Sequence, residues 1–197
     1  MSLIFAMFSF SLAMSISPGP VNMIIVSSGA NYGIRKTFAF VSGATTGFTM
    51  LLLFLALGFY KFVALYPFFL KYLAIAGSAF IIYMGYRIAS AKAELNLKPQ
   101  NIPTFSQGFL LQWLNPKAWI ACVSGISMFS TPENTSIILV FTPMYFVICY
   151  LSLFSWSVLG SRITLLINNP GRLQVFNRFM GALLILTACY LLYTQLL

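Results

Sequence analysis

Lys117 carries the strongest chemical implication in this chain. It is the one charge near the middle of a hydrophobic segment, in the run Gln112-Trp113-Leu114-Asn115-Pro116-Lys117-Ala118. A lysine at the centre of a membrane helix costs about 2.5–3.5 kcal/mol on insertion scales, so it calls for a partner. The chain has two carboxylates, Glu94 and Glu133, both outside the apolar segments, and no histidine. A carboxylate supplied by a ligand is the natural counter-charge; the competing reading has Lys117 snorkelling to an interface. A second polar interruption, Ser17-Pro18-Gly19-Pro20 followed by Asn22, breaks the first hydrophobic segment. Its two prolines remove two N–H donors and disrupt the preceding helical turn. The half-helix beginning after such a break offers free N–H groups and the positive end of its dipole. The half-helix ending before it offers carbonyls. Ser15, Ser17 and Asn22 at the first break, with Gln112 and Asn115 at the second, add neutral hydrogen-bonding groups, although Ser and Asn inside helices often bond only their own backbone. Such a cavity holds donors for a carboxylate and acceptors for an ammonium, and no fixed negative charge. It suits a zwitterion better than a dication.

These interruptions sit in apolar surroundings. Hydrophobic residues make up 60% of the 197 residues and charged ones 7%, too little polar surface for a fold facing water. Six apolar stretches emerge: Leu3 to Ser28, Thr37 to Tyr60, Phe68 to Ala89, Phe105 to Phe129, Ile137 to Leu159 and Phe179 to Leu196. Each is long enough to cross about 30 Å of hydrocarbon. The expected fold is an all-α integral membrane protein of six transmembrane helices, one polytopic domain over residues 1–197 with short loops. Inside a bilayer an interrupted helix is tolerated only where it is packed in protein or lines a wet cavity. Interruptions at corresponding places in two halves point to a transporter's substrate site. Pro18 and Pro116 are 98 residues apart, about half the chain. Three spans per half force the halves into opposite orientations, so a 3+3 inverted repeat with discontinuous first and fourth helices is expected. Tyr83-Met84-Gly85 and Phe179-Met180-Gly181 are a weak echo of that repeat, as is Pro143 beside the place of Gly43 to Gly47. Gly43 and Gly47 form a G-x-x-x-G that lets another helix approach closely, within the chain or across a homodimer. Gly29 and Gly33 read as turn residues around Asn31.

Charge and cysteine usage narrow the class further. The formal charge of +9 comes from bases scattered over loops; no domain presents them to nucleic acid, and the excess is topological, with some attraction to anionic lipid. Arg35, Lys36, Arg87, Lys92, Lys98, Arg162, Arg172 and Arg178 fall on one side of six alternating spans, Lys61 and Lys71 on the other. Retention of basic loops in the cytoplasm puts both termini outside it. No basic n-region precedes the first apolar run, which argues against a cleaved signal peptide. Cys122, Cys149 and Cys189 lie in three different spans and read as small buried hydrophobes. Without C-x-x-C, ligand histidines or a nucleophile and base pair, no enzyme, metal site or cofactor is implied.

The run SPGPVNMIIVSSGANYGIRKTFAFVSGATTG resembles the first-half signature of the lysine-exporter/homoserine-threonine-exporter (LysE/RhtB) family, and QWLNPKAW resembles its second-half motif. The resemblance covers nearly the whole chain and is strongest to the branch associated with export of cysteine, O-acetylserine and other small neutral amino acids. It implies a bacterial inner-membrane efflux protein driven by the proton gradient, with an amino acid as substrate and protons as coupling ion. Val21 departs from the polar residue that many relatives have after P-G-P, which leaves the substrate open. Proton antiport usually relies on intramembrane Asp, Glu or His; with none here, Lys117 is the only strongly basic group placed to carry a proton. Export of heavy metals or other cations, known in the same wider superfamily, is the alternative. It would need clustered thiolates or carboxylates in the spans.

Overall fold

The computed structural model describes residues 3–59, 65, 67–91, 102–130, 136–167 and 169–196, and the regular elements among them are all helical. In chain order these are α1 (Leu3–Ile16), α2 (Pro20–Phe54) running into a π-helical turn (Leu55–Phe59), α3 (Pro67–Ala89), α4 (Phe105–Trp113), α5 (Pro116–Phe129), α6 (Ile137–Leu166) and α7 (Pro170–Leu196). Tyr60, Lys61, Lys92, Glu94, Lys98 and Glu133, used above for span bounds, topology and charge, lie outside the described residues. Four helical stretches are long and apolar enough to cross a membrane: Pro20–Gly58, Lys71–Ala89, Ile137–Thr164 and Pro170–Tyr193. The chain is therefore an all-helical protein with several apolar spans. Large apolar side chains such as Leu57, Leu139, Leu186 and Phe179 face outward, as lipid-facing surface requires.

The short helices arise at the two interruptions. A 14-residue α1 stops at Ile16 and α2 restarts at Pro20; a 9-residue α4 stops at Trp113 and a 14-residue α5 restarts at Pro116. Proline suits the first helical position because its missing N–H would have no helical partner there. Thr104 opens α4 with a capping box, its side chain accepting from Gln107 N while the Gln107 side chain accepts from Thr104 N.

One corner differs from the expected loop. Helix α2 counts 35 residues, about 52 Å at 1.5 Å per residue, too long for one straight crossing of a bilayer. It bends at Gly33, whose φ of 78° and ψ of 171° leave the helical region. Only glycine adopts that φ without cost. Gly29 and Asn31 stay helical, so of the expected turn residues only Gly33 makes the turn.

Small residues set the helix packing, because helices surrounded by lipid gain little from burial and associate through close backbone contact. Gly43 faces Phe105 O so closely that no Cβ would fit, Gly108 faces Phe40 O in the same way, and a Cβ on Gly47 would lie 2.7 Å from Phe109 O. These contacts join the second part of α2 to α4. Gly29 and Gly160 join its first part to α6 against the backbones of Ser157 and Val26. Gly85 of α3 and Gly181 of α7 meet each other, each facing the other's carbonyl, and a Cβ on Gly85 would lie 2.9 Å from Gly181 O. Gly181 follows Gly85 by 96 residues, and the two N1 prolines, Pro20 and Pro116, are also 96 apart. Pro20 and Pro116 are thus alike in place, each opening the helix that follows a break.

Away from the breaks, a polar seam ties the halves together. Asn31 and Asn177 exchange amide hydrogen bonds, Asn31 Nδ2 to Asn177 Oδ1 at 2.6 Å and Asn177 Nδ2 to Asn31 Oδ1 at 2.8 Å. Thr164 Oγ1 donates to Ala30 O at 2.6 Å and Gln174 Nε2 to Ala89 O at 3.2 Å.

Candidate functional site: two helix breaks at one cavity

Ending a helix inside an apolar region strands its last carbonyls, and in lipid each stranded group costs several kcal/mol. At the first break every carbonyl from residue 13 to residue 19 has a donor. Ala13 O accepts from Ser17 N, Met14 O from Ser17 Oγ at 3.2 Å, and Ser15 O from Asn22 Nδ2 at 3.2 Å. Ile16 O accepts from Trp156 Nε1 at 3.2 Å, and Gly19 O from Met23 N. Ser17 O and Pro18 O are met from the other half of the chain. Lys117 Nζ donates to Ser17 O at 2.8 Å, to Ser17 Oγ at 2.7 Å and to Pro18 O at 3.4 Å; Asn22 Nδ2 adds a bond to Ser17 O at 3.1 Å. The Lys117 ammonium, held on α5, therefore caps the carbonyl end of α1, the negative end of that helix dipole.

The second break is satisfied more locally. Asn115 is the N-cap of α5, its Oδ1 accepting from Lys117 N at 3.1 Å, and Trp113 O accepts the Trp119 indole N–H at 2.7 Å. At the first break Gly19 is the N-cap of α2 and provides no side-chain cap. The N–H groups at the start of α2 thus lack the side-chain oxygen that Asn115 gives α5.

A cavity of about 380 Å³, counting its mouth, lies where the breaks meet. Of the residues singled out from the sequence, Gly19, Asn22, Gln112, Asn115 and Lys117 line it. Ser17 and Pro18 hold the Lys117 ammonium, and Pro20 and Pro116 are buried at the starts of their helices. Gly43 and Gly47 lie in the α2 and α4 packing instead. Ser15 also lines the cavity, its buried hydroxyl beside Tyr145 and Cys149. The opposite wall is apolar and was not foreseen: Phe48 stacks on Tyr145 with ring centroids 4.4 Å apart, beside Cys149, Leu153 and Ala121. Nothing in the sequence separates Tyr145 from nine other tyrosines; only the crossing of α2 and α6 brings it to Phe48. Among the described residues Lys117 is the only charged one of the lining; Glu94 and Glu133 are not among them.

Fold and site together define a helical membrane protein built around interrupted helices, the arrangement of a secondary transporter. Residues 12–195 match the profile of the LysE type translocator family, and the chain belongs to that family. It is 27% identical over 139 residues to proteins named cysteine/O-acetylserine efflux protein from Escherichia coli strain K12, Escherichia coli O1:K1 and Shigella sonnei strain Ss046, covering 69% of this chain and 70% of each relative. No solved structure matches the chain significantly.

Proposed function

We propose that this chain exports small neutral, zwitterionic amino acids from the bacterial cytoplasm through the inner membrane, driven by the proton gradient. The observation that carries the reading is the meeting of both helix breaks at one cavity whose single charge is Lys117. Uncapped N–H groups at the start of α2 suit a carboxylate, and the carbonyl end of α1 suits an ammonium. The apolar wall of Phe48, Tyr145, Leu153 and Ala121 suits a short side chain without charge. Without an acidic lining residue the cavity offers nothing to a second positive charge. Ser17, Pro18, Gly19, Pro20, Asn22, Gln112, Asn115, Pro116 and Lys117 are the proposed substrate-binding set, and Lys117 the proposed proton carrier. The relatives named for cysteine and O-acetylserine efflux fit the same substrate class.

In this reading the chain crosses the membrane six times as two inverted halves of three spans. The first crossing is α1 with α2 up to Gly33, the second the rest of α2, the third α3, the fourth α4 with α5, the fifth α6 and the sixth α7. Both termini lie outside the cytoplasm. Purified protein in proteoliposomes with an imposed pH gradient tests the proposal. Gradient-dependent movement of labelled serine, cysteine or alanine is expected. Movement of none of them, from protein that is folded and correctly inserted, would refute it.

A further inference from the structure

The Lys117 ammonium already has partners within the protein, so a substrate carboxylate cannot simply find it free. All its bonds go to the end of α1: Ser17 O, Ser17 Oγ and Pro18 O. Drawing the ammonium away would leave Pro18 O without a donor and Ser17 O with Asn22 Nδ2 alone, and a buried polar group without a partner is costly. We propose that the substrate binds by exchange: an α-amino acid inserts between Lys117 and the carbonyl end of α1, its carboxylate taking the Lys117 ammonium and its ammonium taking Ser17 O and Pro18 O. This rests on the exporter reading above and says how that site selects its substrate.

An α-amino acid carries both required groups on one carbon, so a single molecule satisfies both halves of the opened pair. A carboxylate alone satisfies Lys117 and leaves Pro18 O without a donor. An amine alone satisfies the carbonyls and leaves two ammonium groups in one cavity, each disfavouring the other. The helix dipoles align with the inserted molecule, since α1 ends there with its negative end and α2 begins there with its positive end and no side-chain cap at Gly19. Ser15, 7% exposed, lines the same cavity with its hydroxyl beside Tyr145 and Cys149, a further polar group within reach of an inserted molecule.

The test is a ligand panel on the purified wild-type protein in proteoliposomes: L-alanine, L-lactate, which replaces the ammonium by a hydroxyl, and ethylamine, which lacks the carboxylate. Lactate and ethylamine are expected to compete roughly 100-fold more weakly than alanine, because a site built around polar groups rejects analogues lacking them. Lys117→Met should narrow the gap between alanine and ethylamine, as its carbonyl end is open to an amine while a carboxylate keeps only the N–H groups at the start of α2. Ethylamine binding, followed by calorimetry, should gain roughly 10-fold or more relative to alanine. A lysine that only braced the break would lose all three ligands in parallel. Lactate or ethylamine competing within about threefold of alanine in wild type would overturn the exchange, as would a Lys117→Met protein that keeps the wild-type ratio of alanine to ethylamine affinity. The wild-type panel decides alone if that variant does not fold. Absence of any amino-acid transport by wild type would instead overturn the exporter reading, and the exchange with it.

Discussion

Gly19 is the position where site geometry can be altered with least disturbance to the fold. Its φ of −166° and ψ of 176° are extended backbone that any residue adopts, so a side chain there meets no conformational penalty, and replacing glycine removes unfolded-state freedom worth about 0.4–1 kcal/mol. The space is another matter. An added Cβ would lie 3.3 Å from Lys117 Nζ and 3.4 Å from its Cδ. For Gly19→Ala the lysine tail must give by a few tenths of an ångström. That is enough to lose the 3.4 Å bond to Pro18 O and to stretch the two bonds to Ser17. The methyl group also displaces the ammonium that must meet the substrate carboxylate, and a misplacement of that size predicts a transport loss of roughly 3- to 30-fold. Gly19→Leu fills the space of the ammonium and should abolish transport. Thermal unfolding in detergent should show Gly19→Ala unchanged or slightly more stable than wild type. Initial rates of gradient-driven alanine transport in proteoliposomes should fall in the order Gly, Ala, Leu. A Gly19→Leu protein transporting at the wild-type rate would refute the idea that substrate passes between Gly19 and Lys117.

The remaining predictions concern the frame. Asn31→Ala and Asn177→Ala, combined in a double-mutant cycle of detergent unfolding, should give a coupling of about 1–2 kcal/mol, since two short amide bonds are lost together; a coupling near zero would mean that the pair does not join the halves. Gly33→Ala, at positive φ with open space around its Cβ, should cost only the backbone term of about 1–2 kcal/mol. Gly43→Ala, which must part α2 from α4, should cost more and lower the yield of folded protein, and the reverse ranking would contradict the packing described. Alkaline phosphatase fused after Leu197 should be active and a fluorescent protein there dark; the opposite pattern would exclude six crossings with termini outside the cytoplasm.

Much of the architecture was legible because membrane chemistry leaves few options. Apolar length marked the long helices, and the prolines at 18, 20 and 116 marked the breaks, since a stretch lacking N–H donors in lipid must lie where something else serves the carbonyls. What the sequence could not supply was the identity of that something else. Reasoning from charge alone sought a carboxylate for Lys117 and passed over main-chain oxygens, which carry no sequence signature. The partner, Ser17-Pro18, is 100 residues away and was itself singled out, but no spacing rule links an ammonium to the end of a particular helix. The corner at Gly33 was equally hidden: glycine at 29 and at 33 reads the same in sequence, and only packing assigns one to close contact with α6 and the other to the turn. The apolar wall went unseen because Phe48 and Tyr145 belong to helices whose crossing is fixed by glycines elsewhere.

The two helix breaks are alike in backbone and unlike in chemistry, and the difference lies at the site. Each first half-helix ends with a carbonyl that receives an indole N–H, Ile16 O from Trp156 and Trp113 O from Trp119. Each second half-helix begins with proline at N1, Pro20 and Pro116. At the next position the likeness ends: with the 96-residue register, Lys117 in one half corresponds to Val21 in the other. One ammonium therefore reaches across to the opposite break, and nothing charged reaches back. A symmetric pair of lysines would have placed two positive charges in one small cavity, each disfavouring the other. A symmetric pair of valines would have left Pro18 O, at the end of α1, without the donor it now has. The single substitution of apolar for basic at equivalent positions gives the cavity one donor end and one acceptor end, which is the polarity of a zwitterion.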